Sequence, residues 1–169
     1  IYLHDNGWIQ DPDSPNYAPR SKRSQYDGGV RTPILVRWPG HSRSGENEAL
    51  AHSVDLAPTI LAAAGLKPTK DMPGINLLDP HWVASRDAIF GEIFEHNAID
   101  IHKPAANLQY RWIVEKNWKL IVPREPNVKD GKIELYDLAK DPFEKDNLAA
   151  RNAEKVADLS RKLDAWWKP

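Results

Sequence analysis

The stretch Tyr110-Arg111-Trp112-Ile113-Val114-Glu115-Lys116-Asn117-Trp118-Lys119-Leu120-Ile121-Val122 decides the fold of the second half of the chain. It consists of two apolar runs separated by three polar residues, a pattern that predicts two strands joined by a tight hairpin. Residues 88–94 and 134–138 have the composition of further short strands. Because consecutive strands with short links pair antiparallel, these segments predict a small antiparallel sheet.

A final helix is predicted for residues 152–168. Val156, Leu159 and Leu163 recur at steps of three and four residues, which is the spacing of one apolar helix face. Asn152 is a suitable N-cap residue for this segment. We therefore expect an amphipathic helix that packs on the sheet.

The first part of the chain has a different pattern. Residues 1–3 form a short apolar run that stops at Asp5-Asn6-Gly7, as a buried strand does when it delivers ligands at its carboxyl end. Residues 34–38 predict a second strand, and residues 53–65 predict a helix capped by Asp55. The fold class is therefore α/β, with the tail of an α/β sheet followed by the small antiparallel sheet and its helix.

Composition limits the classes of function. The chain has 169 residues, a net charge of −1 and no cysteine. Without a basic excess we expect no nucleic-acid partner, and without a run of about 18 apolar residues we expect no membrane span. The absence of cysteine excludes disulfides, thiolate zinc sites and a cysteine nucleophile within this stretch. Because there is no initiator Met and the first residues resemble the inside of a strand, we expect a fragment of a larger protein.

Two groups of residues are candidates for chemistry. Asp5 and Asn6 offer adjacent oxygen donors, which suit a hard divalent cation, although the same residues followed by glycine also form ordinary turns. Farther along, the Lys22 ammonium suits an anionic ligand, and the pair Gly28-Gly29 permits close backbone approach. Arg31 can hold an oxyanion, but we favour a buried ion pair that braces the loop.

The order of these blocks resembles the formylglycine-dependent sulfatases of the alkaline phosphatase superfamily. The resemblance implies that residues 1–80 are the C-terminal end of the α/β catalytic domain and that residues 81–169 are the C-terminal α+β subdomain. The matching blocks are spread over nearly all of the chain, and they are Asp5-Asn6-Gly7, Lys22-x-Ser24-x-Tyr26-Asp27-Gly28-Gly29-Val30-Arg31-x-Pro33, residues 53–65, Trp118-Lys119-Leu120-Ile121 and residues 134–149.

The resemblance also implies roles and a cofactor. Asp5 and Asn6 are similar to two of the four protein ligands of an active-site Ca²⁺, and Lys22 is similar to the lysine that contacts the sulfate. The nucleophile of the family is a hydrated formylglycine made from Cys or Ser in a C/S-x-P-x-R motif, which this chain does not contain. We therefore expect the chain alone to be inactive, and the parent protein to be periplasmic or secreted.

A sulfated carbohydrate is the expected substrate. His4 stands where the family usually has a small hydroxyl residue, so it either approaches the substrate or metal or is a structural residue. His96 and His102 either contact the leaving group or lie on a solvated loop. Lys103, Arg111 and Lys119 either meet a polyanionic glycan or, as is usual for alternating charges on a strand, face water.

Two interpretations other than the sulfatase stay open. The parent is either a sulfatase or a phosphodiester or phosphonate hydrolase of the same superfamily, which shares the metal scaffold. A non-catalytic module that binds a glycan or packs in an assembly is the third alternative. Exposed strand edges at residues 1–3 or 34–37 would also permit a homo-oligomer.

Overall fold

A computed structural model describes residues 1–169, which form two compact units, 1–44 together with 90–169, and 45–89. No helix is both long and apolar enough to cross a membrane. The predicted domain boundary near residue 80 concerns the parent protein and stays a prediction. The elements, in chain order, are β1 Tyr2–Leu3, α1 Asp27–Val30, β2 Ile34–Leu35, a 3₁₀ turn Ser53–Asp55, α2 Leu56–Ala63, α3 Pro80–Ser85, β3 Ala88–Phe94, α4 Pro104–Asn107, β4 Leu108–Glu115, β5 Trp118–Pro123, β6 Glu134–Asp137, a 3₁₀ turn Ala149–Arg151 and α5 Ala153–Trp166.

The larger unit is built on a four-stranded sheet in the order β3-β4-β5-β6. Strands β4 and β5 pair antiparallel with Ile113 opposite Leu120, and Leu120 in turn lies opposite Leu135 of β6. Lys116 in the connecting turn has a φ of 52°, the left-handed conformation that two-residue hairpin turns require. The predicted hairpin and antiparallel sheet are confirmed.

One face of the sheet packs against α5. The helix lies against β4 and β5, and its Leu159 and Leu163 are fully buried. On the same side, Arg111 donates from Nη2 to Oδ1 of Asp164 at 2.9 Å. The expectation that Arg111 faces water is wrong, because the helix covers it and supplies a carboxylate. The predicted amphipathic helix on the sheet is confirmed.

The opposite face of the sheet carries Trp112, Lys119 and Tyr136. Lys119 lies opposite Tyr136 in the register of β5 and β6, so both side chains project to the same side. In the neighbouring strand, a Cβ on Gly91 would lie 2.2 Å from the Trp112 ring, so only glycine fits beneath this indole. This second face packs against the N-terminal segment described below.

The smaller unit is organised by a buried carboxylate. Asp55 is fully buried, and its oxygens accept hydrogen bonds from the backbone N–H of His52 at 2.7 Å and of Ile75 at 2.9 Å. Arg86 donates to the same carboxylate from both terminal nitrogens, at 2.5 and 2.7 Å. Asp55 takes part in capping the start of the predicted helix, but as the third residue of a capping box in which His52 is the N-cap residue. Its side chain also bonds to the loop that contains Ile75.

The N-terminal strands differ from the prediction. Strand β1 pairs antiparallel with β2, and Ile1 and Tyr2 are about half exposed, at 54% and 53%. The expectation of a buried strand is wrong for this chain, because β2 is the one strand that pairs with β1. The second predicted strand is shorter than expected and comprises Ile34–Leu35.

Candidate functional site

Three backbone segments, which carry Gly7, Ser21 and the pair Gly28-Gly29, pack directly against one another. This arrangement, called the glycine stack below, brings the two predicted groups of site residues together. The N–H of Gly7 donates to the carbonyl of Gly29 at 2.8 Å, and a Cβ on Gly7 would lie 2.2 Å from the Gly28 oxygen. On the other side, a Cβ on Gly29 would lie 2.3 Å from the carbonyl oxygen of Ser21. The segments that carry Asp5-Asn6 and Lys22 therefore lie against the same glycine pair. Side chains at these glycines would force the segments apart.

Lys22 is held beside Trp8 in this stack. Its Nζ lies 5.5 Å from the centre of the Trp8 ring, and no carboxylate of the chain forms an ion pair with it. The preceding residue, Ser21, is fully buried and accepts from the N–H of Ile9 at 2.5 Å. A fixed loop thus presents an ammonium group that is available to an external anion.

Asp5 and Asn6 lie at the edge of the same stack. Asp5 is exposed, and the amide nitrogen of Asn6 donates to the carbonyl of Gly7 at 2.8 Å, which leaves the amide oxygen for another partner. Two adjacent oxygen donors fit a hard cation such as Ca²⁺. The chain contains no group of three or more His, Cys, Asp or Glu side chains that could hold a metal ion. The predicted ligand pair has the chemistry that such an ion prefers, but by itself it would supply only part of the coordination.

The three predicted substrate histidines are not brought together. His4 is exposed, and its ring packs edge-on against Tyr2 with centroids 5.2 Å apart. His96 and His102 are exposed on the segment between β3 and β4, where their backbone N–H groups donate to Glu95 and Asp100. No hydrogen bond, ion pair or ring contact joins these two histidines to the glycine stack.

A buried charge cluster below the stack was not predicted from sequence. Lys119 is fully buried, and its Nζ lies 2.7 Å from Oδ1 of Asp27 and 2.8 Å from Oε1 of Glu144. The other carboxylate oxygen of Glu144 accepts from the backbone N–H of Asp27 at 2.6 Å. Burial raises the pKa of the Glu144 carboxyl, and the Lys119 ammonium acts against this rise. The expectation that Lys119 faces water is wrong, because these carboxylates neutralise it.

The sequence offered one signal for this cluster. All three residues lie in the blocks that carry the sulfatase resemblance, but those blocks were interpreted as strand and loop. Arg31 forms an ion pair with Asp27 at 3.8 Å, but its side chain is 76% exposed. The expected buried ion pair is therefore wrong, because the guanidinium group lies in solvent and only its partner is enclosed.

A second network of hydrogen bonds, which is partly buried, joins the same loop to β6. The hydroxyl of Tyr26 donates to the Glu134 carboxylate at 2.9 Å, and the Tyr136 hydroxyl donates to it as well. The guanidinium carbon of Arg20 lies 4.4 Å from the centre of the Tyr26 ring. Burial and the adjacent Glu134 carboxylate raise the pKa of Tyr26 to about 12 and also raise the pKa of Tyr136.

The raised pKa of Tyr26 predicts alkaline destabilisation. Between about pH 10, where unfolded tyrosine ionises, and about pH 12, the folded state keeps a proton that the unfolded state has lost. The free energy of unfolding should therefore fall as pH rises through this range. Urea titrations at a series of alkaline pH values should show a smaller loss in Tyr26→Phe than in the wild type. An identical loss in both proteins would contradict the assignment.

Comparison with known proteins identifies the family. Residues 17–167 match the model of the family described as N-sulphoglucosamine sulphohydrolase, C-terminal. The chain belongs to this sulfatase family. The predicted sulfatase resemblance is thereby confirmed, and the C-terminal character of the match agrees with the antiparallel sheet and final helix.

Individual relatives agree with the family. The chain is 30% identical to a sulfatase of Formosa agariphila in an alignment 184 residues long. This alignment covers 98% of the chain and 32% of that protein. It is 27% identical to the N-acetylgalactosamine-6-O-sulfatase of Bacteroides thetaiotaomicron over 154 residues, which cover 85% of the chain and 29% of that protein. This sulfatase chain thus spans about a third of the length of these relatives.

A solved structure confirms the fold. It is that of a protein in complex with its substrate D-glucosamine-2-N,6-O-disulfate, and it matches with a TM-score of 0.70 and 24% identity. The alignment covers 97% of the chain and 33% of the solved one. The predicted fold class, the tail of an alkaline-phosphatase-like α/β sheet followed by a small antiparallel sheet and a helix, is therefore confirmed.

Proposed function

We propose that the protein to which this sulfatase chain belongs hydrolyses sulfate esters, with Lys22 as a sulfate-contacting catalytic residue. The glycine stack is the observation that carries the proposal. It places an ammonium with no carboxylate partner on a loop that packs against the segment of Asp5 and Asn6. Positive charge at such a position stabilises the negative charge that develops on sulfate oxygens in the transition state.

Asp5 and Asn6 would hold part of a Ca²⁺ site beside Lys22. A bound calcium ion supplies positive charge that offsets the charge of the sulfate group. The formylglycine nucleophile would come from outside these residues, because the chain has no cysteine and no serine in an S-x-P-x-R motif. We therefore propose that the chain by itself is inactive.

We further propose a sulfated carbohydrate as substrate. One relative is an N-acetylgalactosamine-6-O-sulfatase, and the chain offers an apolar surface suited to a sugar ring. Trp8 is 52% exposed beside Lys22, and its ring is held edge-on by Tyr17 with centroids 5.4 Å apart. A rigid aromatic plane next to the anion-binding group is typical of ligand pockets. His4, His96 and His102 stay proposed substrate contacts.

The proposed function is tested by hydrolysis assays with the whole protein to which this chain belongs, called the longer protein below. We expect turnover of 6-O-sulfated N-acetylhexosamines that depends on added Ca²⁺, and no turnover above the buffer blank for residues 1–169 alone. Faster hydrolysis of an aryl phosphonate ester than of any sulfate ester would favour the phosphonate hydrolase instead. Turnover by residues 1–169 alone would contradict the need for an external nucleophile.

The Trp8 surface provides a control within the same assay. Trp8→Ala should raise the KM for the sulfated sugar, whereas Trp8→Phe keeps an aromatic plane and should have a smaller effect. A small aryl sulfate has no sugar ring to pack on Trp8, so its KM should change little in either variant. Equal changes for both substrates would argue against a sugar-binding role.

A further inference from the structure

We infer that Glu144, supported by Lys119, is a positioning residue that sets the location of the Lys22 loop from the C-terminal subdomain. This inference rests on the proposed role of Lys22. Glu144 lies 122 positions after Lys22 in the sequence. The contacts of its side chain and its backbone make it the point to which the loop is attached.

Glu144 binds the Lys22 loop on both sides of the lysine. Its backbone carbonyl accepts a hydrogen bond from the guanidinium of Arg20, two residues before Lys22. Its carboxylate accepts from the backbone N–H of Asp27, five residues after Lys22, at 2.6 Å. One fully enclosed residue, 1% exposed, thus anchors both ends of residues 20–27.

Lys119 fixes the carboxylate of Glu144 relative to helix α1. Its Nζ bridges Asp27, the first residue of α1, and Glu144 at 2.7 and 2.8 Å. The Glu144 carboxylate is buried and that of Asp27 is 14% exposed, and two enclosed carboxylates on the same ammonium would repel each other without that cation. The bridge therefore holds the start of α1 against the loop that contains Glu144.

The position of α1 is transmitted to Lys22 by direct packing of backbone against backbone. A Cβ on Gly28 would lie 2.4 Å from the carbonyl oxygen of Arg20, and one on Gly29 would lie 2.3 Å from that of Ser21. Since no space separates α1 from the loop, a shift of α1 moves the residue next to Lys22. Backbone packing this tight transmits displacement, because protein interiors are close-packed.

The backbone conformation at these anchors is unusual. Arg20, Arg23 and Glu144 have φ values of 60°, 65° and 55°, in the left-handed region that residues other than glycine rarely adopt. Such conformations persist where surrounding contacts over-determine them, and they concentrate at functional sites. Here they flank Lys22 and coincide with the residue that anchors its loop.

Kinetics of Glu144 variants in the longer protein test the inference. Glu144→Ala removes the acceptor for Asp27 and should lower kcat/KM for the sulfate ester by about 10- to 100-fold, the usual cost of losing a supporting contact. Glu144→Gln keeps an oxygen at this place and should restore most of the activity. Asp146→Asn is the matched control, because this exposed carboxylate in the same loop pairs only with Arg151 at the surface and should leave kcat/KM unchanged.

A double-mutant cycle separates positioning from general destabilisation. If Glu144 acts through Lys22, Glu144→Ala should add little to the loss already caused by Lys22→Ala, whereas independent effects multiply. Multiplicative losses, or unchanged kcat/KM in Glu144→Ala, would overturn the inference. Unchanged kcat/KM in Lys22→Ala would instead overturn the proposed function. If Glu144→Ala does not fold by circular dichroism, Arg20→Met removes the other anchor, and the same cycle with Lys22→Ala decides.

Discussion

Replacing Asp55 with alanine is expected to lower the free energy of unfolding of residues 45–89 by about 3–5 kcal/mol, the usual cost of removing one partner from a buried ion pair. Asp55 is fully buried, and Arg86, with a side chain 10% exposed, would keep its charge without a carboxylate. The backbone N–H groups of His52 and Ile75 would also lose their acceptor. No other side chain in this unit accepts as many hydrogen bonds as Asp55 does.

Hydrogen exchange at the Ile75 amide provides the measurement, because this N–H is bonded directly to Asp55. Asp79→Ala is the matched control in the same unit, where the carboxylate caps α3 through the N–H of His81, and it should cost only about 1 kcal/mol. Equal losses of protection in the two variants would contradict the assignment of Asp55 as the organising residue.

The same carboxylate predicts a dependence on acid pH. Burial raises the pKa of Asp55, but the hydrogen bonds from Arg86, Ile75 and His52 outweigh burial and hold this pKa below its usual value. Its contribution to stability is therefore fully present above about pH 4, the unfolded pKa, and is lost as pH falls through the lower folded pKa.

Replacing Lys22 with alanine is expected to lower kcat/KM for a sulfate ester by about 10²- to 10³-fold in the longer protein, the range found when one transition-state charge contact is removed. The reason is that Lys22 presents an ammonium with no carboxylate partner, so its charge is available to the sulfate group. Lys22→Arg keeps the charge but changes its shape, and it should retain part of the activity.

Lys129→Ala is the control for this prediction, since Lys129 is exposed and lies outside the glycine stack. Direct binding of inorganic sulfate, measured by titration calorimetry, adds a reading that does not depend on turnover, and the dissociation constant should rise in Lys22→Ala alone. A loss of activity in Lys129→Ala equal to that in Lys22→Ala would contradict a specific role for Lys22.

Secondary-structure elements were predicted correctly where the residues that determine them lie close together in the sequence. The hairpin of β4 and β5 followed from two apolar runs and a polar turn, and α5 followed from the spacing of Leu159 and Leu163. By contrast, the Ile1–Leu3 strand was expected to be buried, and it is exposed, because the pattern of a strand does not say what covers it.

The sequence by itself determined the strands of the sheet, the final helix, the sulfatase family and the candidate residues Asp5, Asn6 and Lys22. Only the tertiary structure decided that Lys119 is buried and that Glu144 anchors the Lys22 loop. Their partner Asp27 lies 92 positions before Lys119 and 117 before Glu144 in the chain. Charge and burial at one position depend on side chains that arrive from such distances, whereas strand and helix periodicity depends on neighbours within a few residues.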